Sequence, residues 1–204
     1  MGLLHKITFI PRFARQVFYL PFNKYMFRSA GAIIGKGFHV RNRIYLKLYK
    51  GAKLSIGDYF SVESGEAINP IGRNIKACVF VDKGACLSIG NHVGMSSSTI
   101  WCREKIEIGN NVKIGACCTI LDTDCHSLNF DYRHNSAKDY QNTKHKPVRI
   151  EDDVLIGANS IILKGTHIGA RSVIGAGSVV SGDIPSDCIA VGNPCTVLRY
   201  INPQ

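Results

Sequence analysis

The chain has 204 residues, 45% of them hydrophobic, enough for one domain with a substantial core and too apolar for a disordered chain. No apolar run approaches the ~20 residues that span a bilayer, and eight cysteines without a CxxC pair do not fit a small disulfide-stapled domain. They read as free thiols in a reducing cytoplasm, while 20 glycines imply many tight corners.

The formal charge of +10 is concentrated at one end. Residues 1–57 hold 11 Lys and Arg and no acid, whereas residues 58–204 hold 14 basic and 15 acidic side chains. Such a start seeks an anionic surface, a phospholipid or another polyanion; a solvated basic arm is the plainer alternative. Residues 1–30 form a basic amphipathic segment. Ile7, Ile10, Phe13 and Val17 fall at helical spacing between Lys6, Arg12, Arg15 and Gln16, and Pro11 and Pro21 predict a break into short helices. Phe22, Tyr25, Met26 and Phe27 predict a second short turn. With its apolar runs broken by Lys6, Pro11, Arg12 and Arg15, the segment does not read as a signal peptide. The expectation is a cytoplasmic protein, peripheral at the inner face of a membrane or using this segment as a cap.

From residue 31 to 190 a six-residue rhythm governs. Ile56, Val62 and Ile68 are six apart, as are Ile75 and Val81, then Ile89, Met95 and Trp101, then Ile108, Ile114 and Ile120. The rhythm is strictest last: Ile150, Ile156, Ile162, Ile168, Ile174, Val180, with Val148, Val154, Ser160, Thr166, Ser172 and Ser178 two residues earlier. A period of six matches neither a helix nor an isolated strand. It matches a solenoid whose rungs must stack to bury their apolar side, three hexads making one triangular coil of about 18 residues, a β-helix of short parallel strands.

Residues 121–147 interrupt the rhythm with a polar excursion holding three of the seven histidines. A long loop that leaves a rigid scaffold and returns is a common place for chemistry. After the last hexad, Gly192-Asn193-Pro194 is a turn, and residues 191–204 make a tail in which Val197 to Ile201 caps the final rung as a helix or extension.

The hexads Ile156-Gly157, Ile168-Gly169 and Ile174-Gly175, the excursion after Ile120, the run IGAGSVV and the tail VGNPCTVLRYI together resemble the hexapeptide-repeat acyltransferases over residues 31–201. The likeness is to the group of maltose, galactoside and polysaccharide O-acetyltransferases. It implies a left-handed parallel β-helix, a homotrimer with active sites between protomers, and acetyl-CoA lying along the outside of the C-terminal coils. It also implies a saccharide acceptor, most readily in a cell-surface polysaccharide or its lipid-linked precursor.

The attacking alcohol must lose its proton, for which a neutral imidazole is the natural base, and the oxyanion needs a hydrogen-bond donor. His126, in Asp122-Thr123-Asp124-Cys125-His126-Ser127, matches the family's base, with Asp122 or Asp124 orienting the ring as the third member of a triad does. Cys125 raises the possibility of a covalent acyl route, but the family transfers directly. For the acceptor the resemblance marks Ser97, where relatives often carry Asn, and we add Arg133. For CoA it marks Ala158, Ala176, Ser181 and Arg199, with Lys164 and Arg171 on nearby coils; Ser181-Gly182 stands where relatives often have Thr-Lys, and Leu155 where many have Trp. Alternatives are N-acetylation of an amino sugar nucleotide, a serine O-acetyltransferase, or a degenerate scaffold. A zinc-dependent γ-class carbonic anhydrase, which sets two histidines five residues apart, is disfavoured because Asp131 follows His126 at that distance; no metal is expected.

Overall fold

The computed structural model describes residues 3–65, 71 and 75–201. Within them the strands form three sheets of seven, eight and six strands, parallel except for the last strand of the eight-stranded one, and the chain visits each sheet in turn. The architecture is the all-β solenoid expected, a left-handed parallel β-helix of hexapeptide repeats. Ile150 pairs in register with Ile168, Ile156 with Ile174, and Ile162 with Val180, one on each face and each 18 residues apart. All six are at most 1% exposed. Burying each such side chain stabilises by about 1.5–3 kcal/mol, and their β-branched shape suits a pleated strand.

The second series is also buried, apolar at Val148 and Val154 and hydroxyl-bearing in the coils that follow. Ser160, Ser172 and Ser178 are fully buried. Their hydroxyls donate to the carbonyls of Gly157, Pro185 and Gly175. A small hydroxyl fits the turn and satisfies a carbonyl that the sheet leaves open. Gly157 is required by proximity: a Cβ there would lie 2.7 Å from the Ala176 Cα of the next coil. Along another edge, Asp58, Asn91, Asn110 and Asp152 form a ladder in which each side-chain oxygen accepts from the backbone N–H of the coil before it.

Two positions differ from the simple hexad reading. Ile100, not Trp101, points inward, because the corner between Met95 and Ile100 is one residue short. Ile75 is exposed; Ala77, Val79 and Val81 line the core there. Ile68 lies outside the described residues.

The N-terminal segment is one helix, α1 (Leu3–Ser29), running through both prolines. Its end is anchored to the first coil, which offsets the missing proline donors. Phe27 is fully buried against Phe38, which meets Phe60. The buried Asn23 amide donates to the carbonyls of Val40 and Asn42. Gly31, at φ +90°, then turns the chain out of the helix. The side chains of Ile7, Ile10 and Phe13 lie outside the described residues. At the other end the tail is a strand, Thr196–Tyr200, antiparallel to Cys188–Val191, rather than a helix. No helix among the described residues is long and apolar enough to cross a membrane.

Candidate active site

The excursion has its own structure. Strand Thr119–Leu121 ends it on one side and Val148–Ile150 on the other, and a bridge between Thr123 and His145 closes its neck. Between them lie two short helices, α2 (Phe130–Arg133) and α3 (Ser136–Asn142), each started by an asparagine. The side chain of Asn129 accepts from Asp131 N–H, and that of Asn135 from Ala137 and Lys138 N–H. These N-caps were readable as turn-forming asparagines before polar helical runs.

His126 projects from this loop with its side chain 72% exposed. Its Nδ1 lies 2.6 Å from Asp139 Oδ2 of α3, and Asp139 Oδ1 accepts from Ser127 N–H at 2.6 Å. The carboxylate is therefore held from both sides, and it is held below the usual aspartate range by the His126 contact and the Ser127 N–H. An imidazole that donates Nδ1–H to this carboxylate presents an unprotonated Nε2, the form a general base needs.

The orienting carboxylate is thus Asp139 and neither expected aspartate. Asp122 is fully buried and accepts from the backbone N–H groups of Arg103, Glu104 and Lys105. It knots the loop's exit to the preceding coil. Asp124 pairs with Lys164 at 3.1 Å, and its Oδ2 is buried without a partner among the described residues. The missed residue, Asp139, lies 13 positions beyond His126; only the turn of α3 brings it back, so spacing could not reveal it.

The remaining expected residues fall into separate groups. Ser97 is fully buried at φ +44°, its hydroxyl accepting from Gly65 N–H and donating to the Glu63 carbonyl, which makes it a corner residue. Arg133 donates to the Ser127 carbonyl at 2.7 Å and braces the His126 loop from within. Ala158 and Ala176 share one edge of the prism, joined through the Gly177 N–H to the Ala158 carbonyl. Lys164 and Ser181 follow the strands Ile161–Ile162 and Val179–Val180 at the next edge, with Ser181 exposed. Arg199 is exposed on the tail strand, opposite Ile189. Lys164 is ion-paired with Asp124, so it ties the C-terminal coils to the base of the His126 loop. Burial raises the Cys125 thiol above its ordinary range, which leaves it protonated and a poor nucleophile at neutral pH. A groove of about 580 Å³ lined by Glu107, Arg149, Glu151 and Arg171 includes one of the expected residues, Arg171, whose guanidinium pairs with Asp187.

Residues 147–181 match the family model described as the hexapeptide repeat of succinyl-transferase. The chain is 45% identical over 97 residues to a galactoside O-acetyltransferase of Lactococcus lactis, covering 48% of this chain and 44% of that protein. It spans about half the length of the curated relatives it matches. Among solved structures, a hexapeptide-repeat acetyltransferase of Vibrio cholerae complexed with acetyl-CoA superposes with a TM-score of 0.54 at 27% identity, over 87% of this chain and 74% of that one. A maltose O-acetyltransferase of Clostridium difficile gives a TM-score of 0.55 at 27% identity, over 88% and 75%. The chain carries the hexapeptide repeat and is similar, in sequence over half its length and in fold over nearly nine-tenths of it, to the hexapeptide-repeat acetyltransferases.

Proposed function

We propose that this protein transfers an acetyl group from acetyl-CoA directly to a saccharide hydroxyl, with His126 as general base and Asp139 as the residue that positions it. The observation that carries this reading is the fixed His126–Asp139 pair, which turns Nε2 outward from a loop rooted on hexapeptide coils. As the hydroxyl attacks the thioester carbonyl, its proton passes to Nε2, and the tetrahedral intermediate collapses with loss of CoA thiolate. The thiolate leaves with the proton that the imidazole gives back. Backbone N–H groups of the coil corners are the natural donors to the oxyanion.

The donor would lie along the C-terminal coils, past Ala158 and Ala176 at a glycine-rich edge, with Arg199 and Ser181 toward the nucleotide end. The Vibrio neighbour complexed with acetyl-CoA supports that donor, and the galactoside and maltose O-acetyltransferases support a saccharide acceptor. The assembly would be a homotrimer with each site between protomers. The basic start of the chain supports work at the cytoplasmic face of an anionic membrane, on a cell-surface polysaccharide or its lipid-linked precursor. α1 leaves Phe18, Phe22 and Tyr25 exposed beside Arg15, Lys24 and Arg28, the composition of an interfacial helix.

The test is thiol release from acetyl-CoA with and without a panel of saccharides running from simple glycosides to oligosaccharides. Saccharide-dependent release supports the reading; acetyl-CoA binding without transfer to any glycoside or amino sugar refutes it.

A further inference from the structure

One face of the prism carries an outward column that the chemistry above does not use. Lys47, Phe80, Trp101 and Leu121 stand in register on four successive coils of the six-stranded sheet. The last of them is the residue at which the His126 loop departs. Phe80 and Trp101 are half-buried, with ring centroids 6.3 Å apart and planes 57° from parallel. Asp82 Oδ2 accepts from the Trp101 indole N–H at 3.1 Å, which fixes the ring while leaving its outer side to solvent. At the upper end of the column the Arg103 guanidinium stacks 4.0 Å from the Tyr140 ring and donates to the Tyr140 carbonyl at 2.7 Å. Tyr140 follows Asp139 on α3, so Arg103 joins this face to the helix that holds His126. The column therefore ends at the strand from which the His126 loop leaves the coil.

We infer that this face is a binding track for a saccharide chain, in which Trp101 and Phe80 stack against sugar rings and Asp82 and Arg103 bond their hydroxyls, delivering one hydroxyl to His126. The inference rests on the acetyltransferase reading and names its acceptor class: an oligosaccharide of several residues rather than a single sugar. Three observations fit that occupant. Aromatic faces flanked by a carboxylate and a guanidinium match the alternation of apolar C–H faces and hydroxyls on a pyranose. The coils repeat every ~4.8 Å, close to the length one pyranose adds to a chain, so neighbouring rings meet neighbouring rungs. The column is also continuous with the loop that carries the base.

Trp101 is the sole tryptophan of the chain. The experiment is retention of the full-length protein on a microarray of neutral and acidic bacterial glycans of one to eight residues, with the fluorescence of Trp101 followed for any glycan retained. The inference predicts retention of glycans of three or more residues, a change in Trp101 fluorescence on binding, and a loss of about tenfold or more in affinity in Trp101→Ala. Trp101→Phe, which keeps a stacking ring, recovers most of the affinity and controls for folding. Equal affinity in wild type, Trp101→Ala and Phe80→Ala overturns the track, as does failure to retain any glycan by a protein that binds acetyl-CoA in calorimetry. A change of oligomeric state in Trp101→Ala with glycan retention intact assigns the face to contact with a second copy and likewise overturns it. Absence of acetyl-CoA binding would instead strike the underlying acetyltransferase reading.

Discussion

His126 Nδ1 stands 2.6 Å from Asp139 Oδ2, and Ser127, the next residue in the chain, donates its backbone N–H to the other oxygen of the same carboxylate. One short helix thereby sets the direction of the imidazole and offers its Nδ1 an acceptor. Asp139→Asn keeps the shape but can offer its amide N–H to Nδ1, favouring the tautomer with Nε2 protonated. We expect kcat for acetyl transfer to fall about 100-fold or more, with KM for acetyl-CoA unchanged. Steady-state kinetics on the purified variant checks this.

The same pair makes a statement about pH. The folded-state pKa of Asp139 lies below the unperturbed 3.8, first through the His126 contact and then through the Ser127 N–H. A depressed carboxylate contributes stability that is present above its unfolded pKa and lost as pH falls through the folded value. The loop should therefore hold its arrangement through mildly acidic conditions and loosen only below the ordinary carboxylate range. Carbon-detected NMR titration of the Asp139 side chain should give a midpoint under 3.8.

Asp122, two positions before Asp124, behaves differently because it is buried with three backbone donors. Asp122→Ala leaves the N–H groups of Arg103, Glu104 and Lys105 without a partner. The expected cost is about 3 kcal/mol or more of stability, read as a lower midpoint in chemical denaturation. Asp124→Ala, by contrast, removes one partly exposed ion pair with Lys164 and should cost about 1 kcal/mol or less.

The inward stack is tested at Ile156, which is fully buried and in register with Ile174 and Ile114. Ile156→Ala should cost about 2–5 kcal/mol. Ile161→Ala, one strand later and 38% exposed, should cost less than about 1 kcal/mol. Equal costs would mean that the hexad does not mark the core.

Direct transfer predicts that Cys125 is dispensable, since burial holds its thiol protonated. Cys125→Ala should keep kcat within about threefold, and mass spectrometry of the wild type during turnover should find no acyl-cysteine.

The solenoid was legible because its core is written one residue at a time: a side chain that must point at the axis on every face leaves a period of six. Where the corners change length the signal blurs, as at Met95 to Ile100, and Trp101 looks like a core residue although it faces out. The helix α1 misled because its prolines forecast breaks, whereas one helix runs through both and is anchored near its end by Asn23 and Phe27. In the candidate site, the proposed base His126 stood out in the sequence from its place at the root of the excursion. Its partner was not, because hydrogen bonding across a folded loop depends on where α3 turns, and the nearby Asp122 and Asp124 offered the same chemistry at shorter range. Their carboxylates are taken up by the backbone of the preceding coil and by Lys164.

The most direct measurement is the saccharide-dependent rate of CoA release by His126→Ala beside the wild type, with acetyl-CoA affinity measured on both. With His126 as the base, the variant's rate is at least about 100-fold lower and its donor affinity is unchanged. A variant that turns over at the wild-type rate would contradict the assignment of His126 as the base.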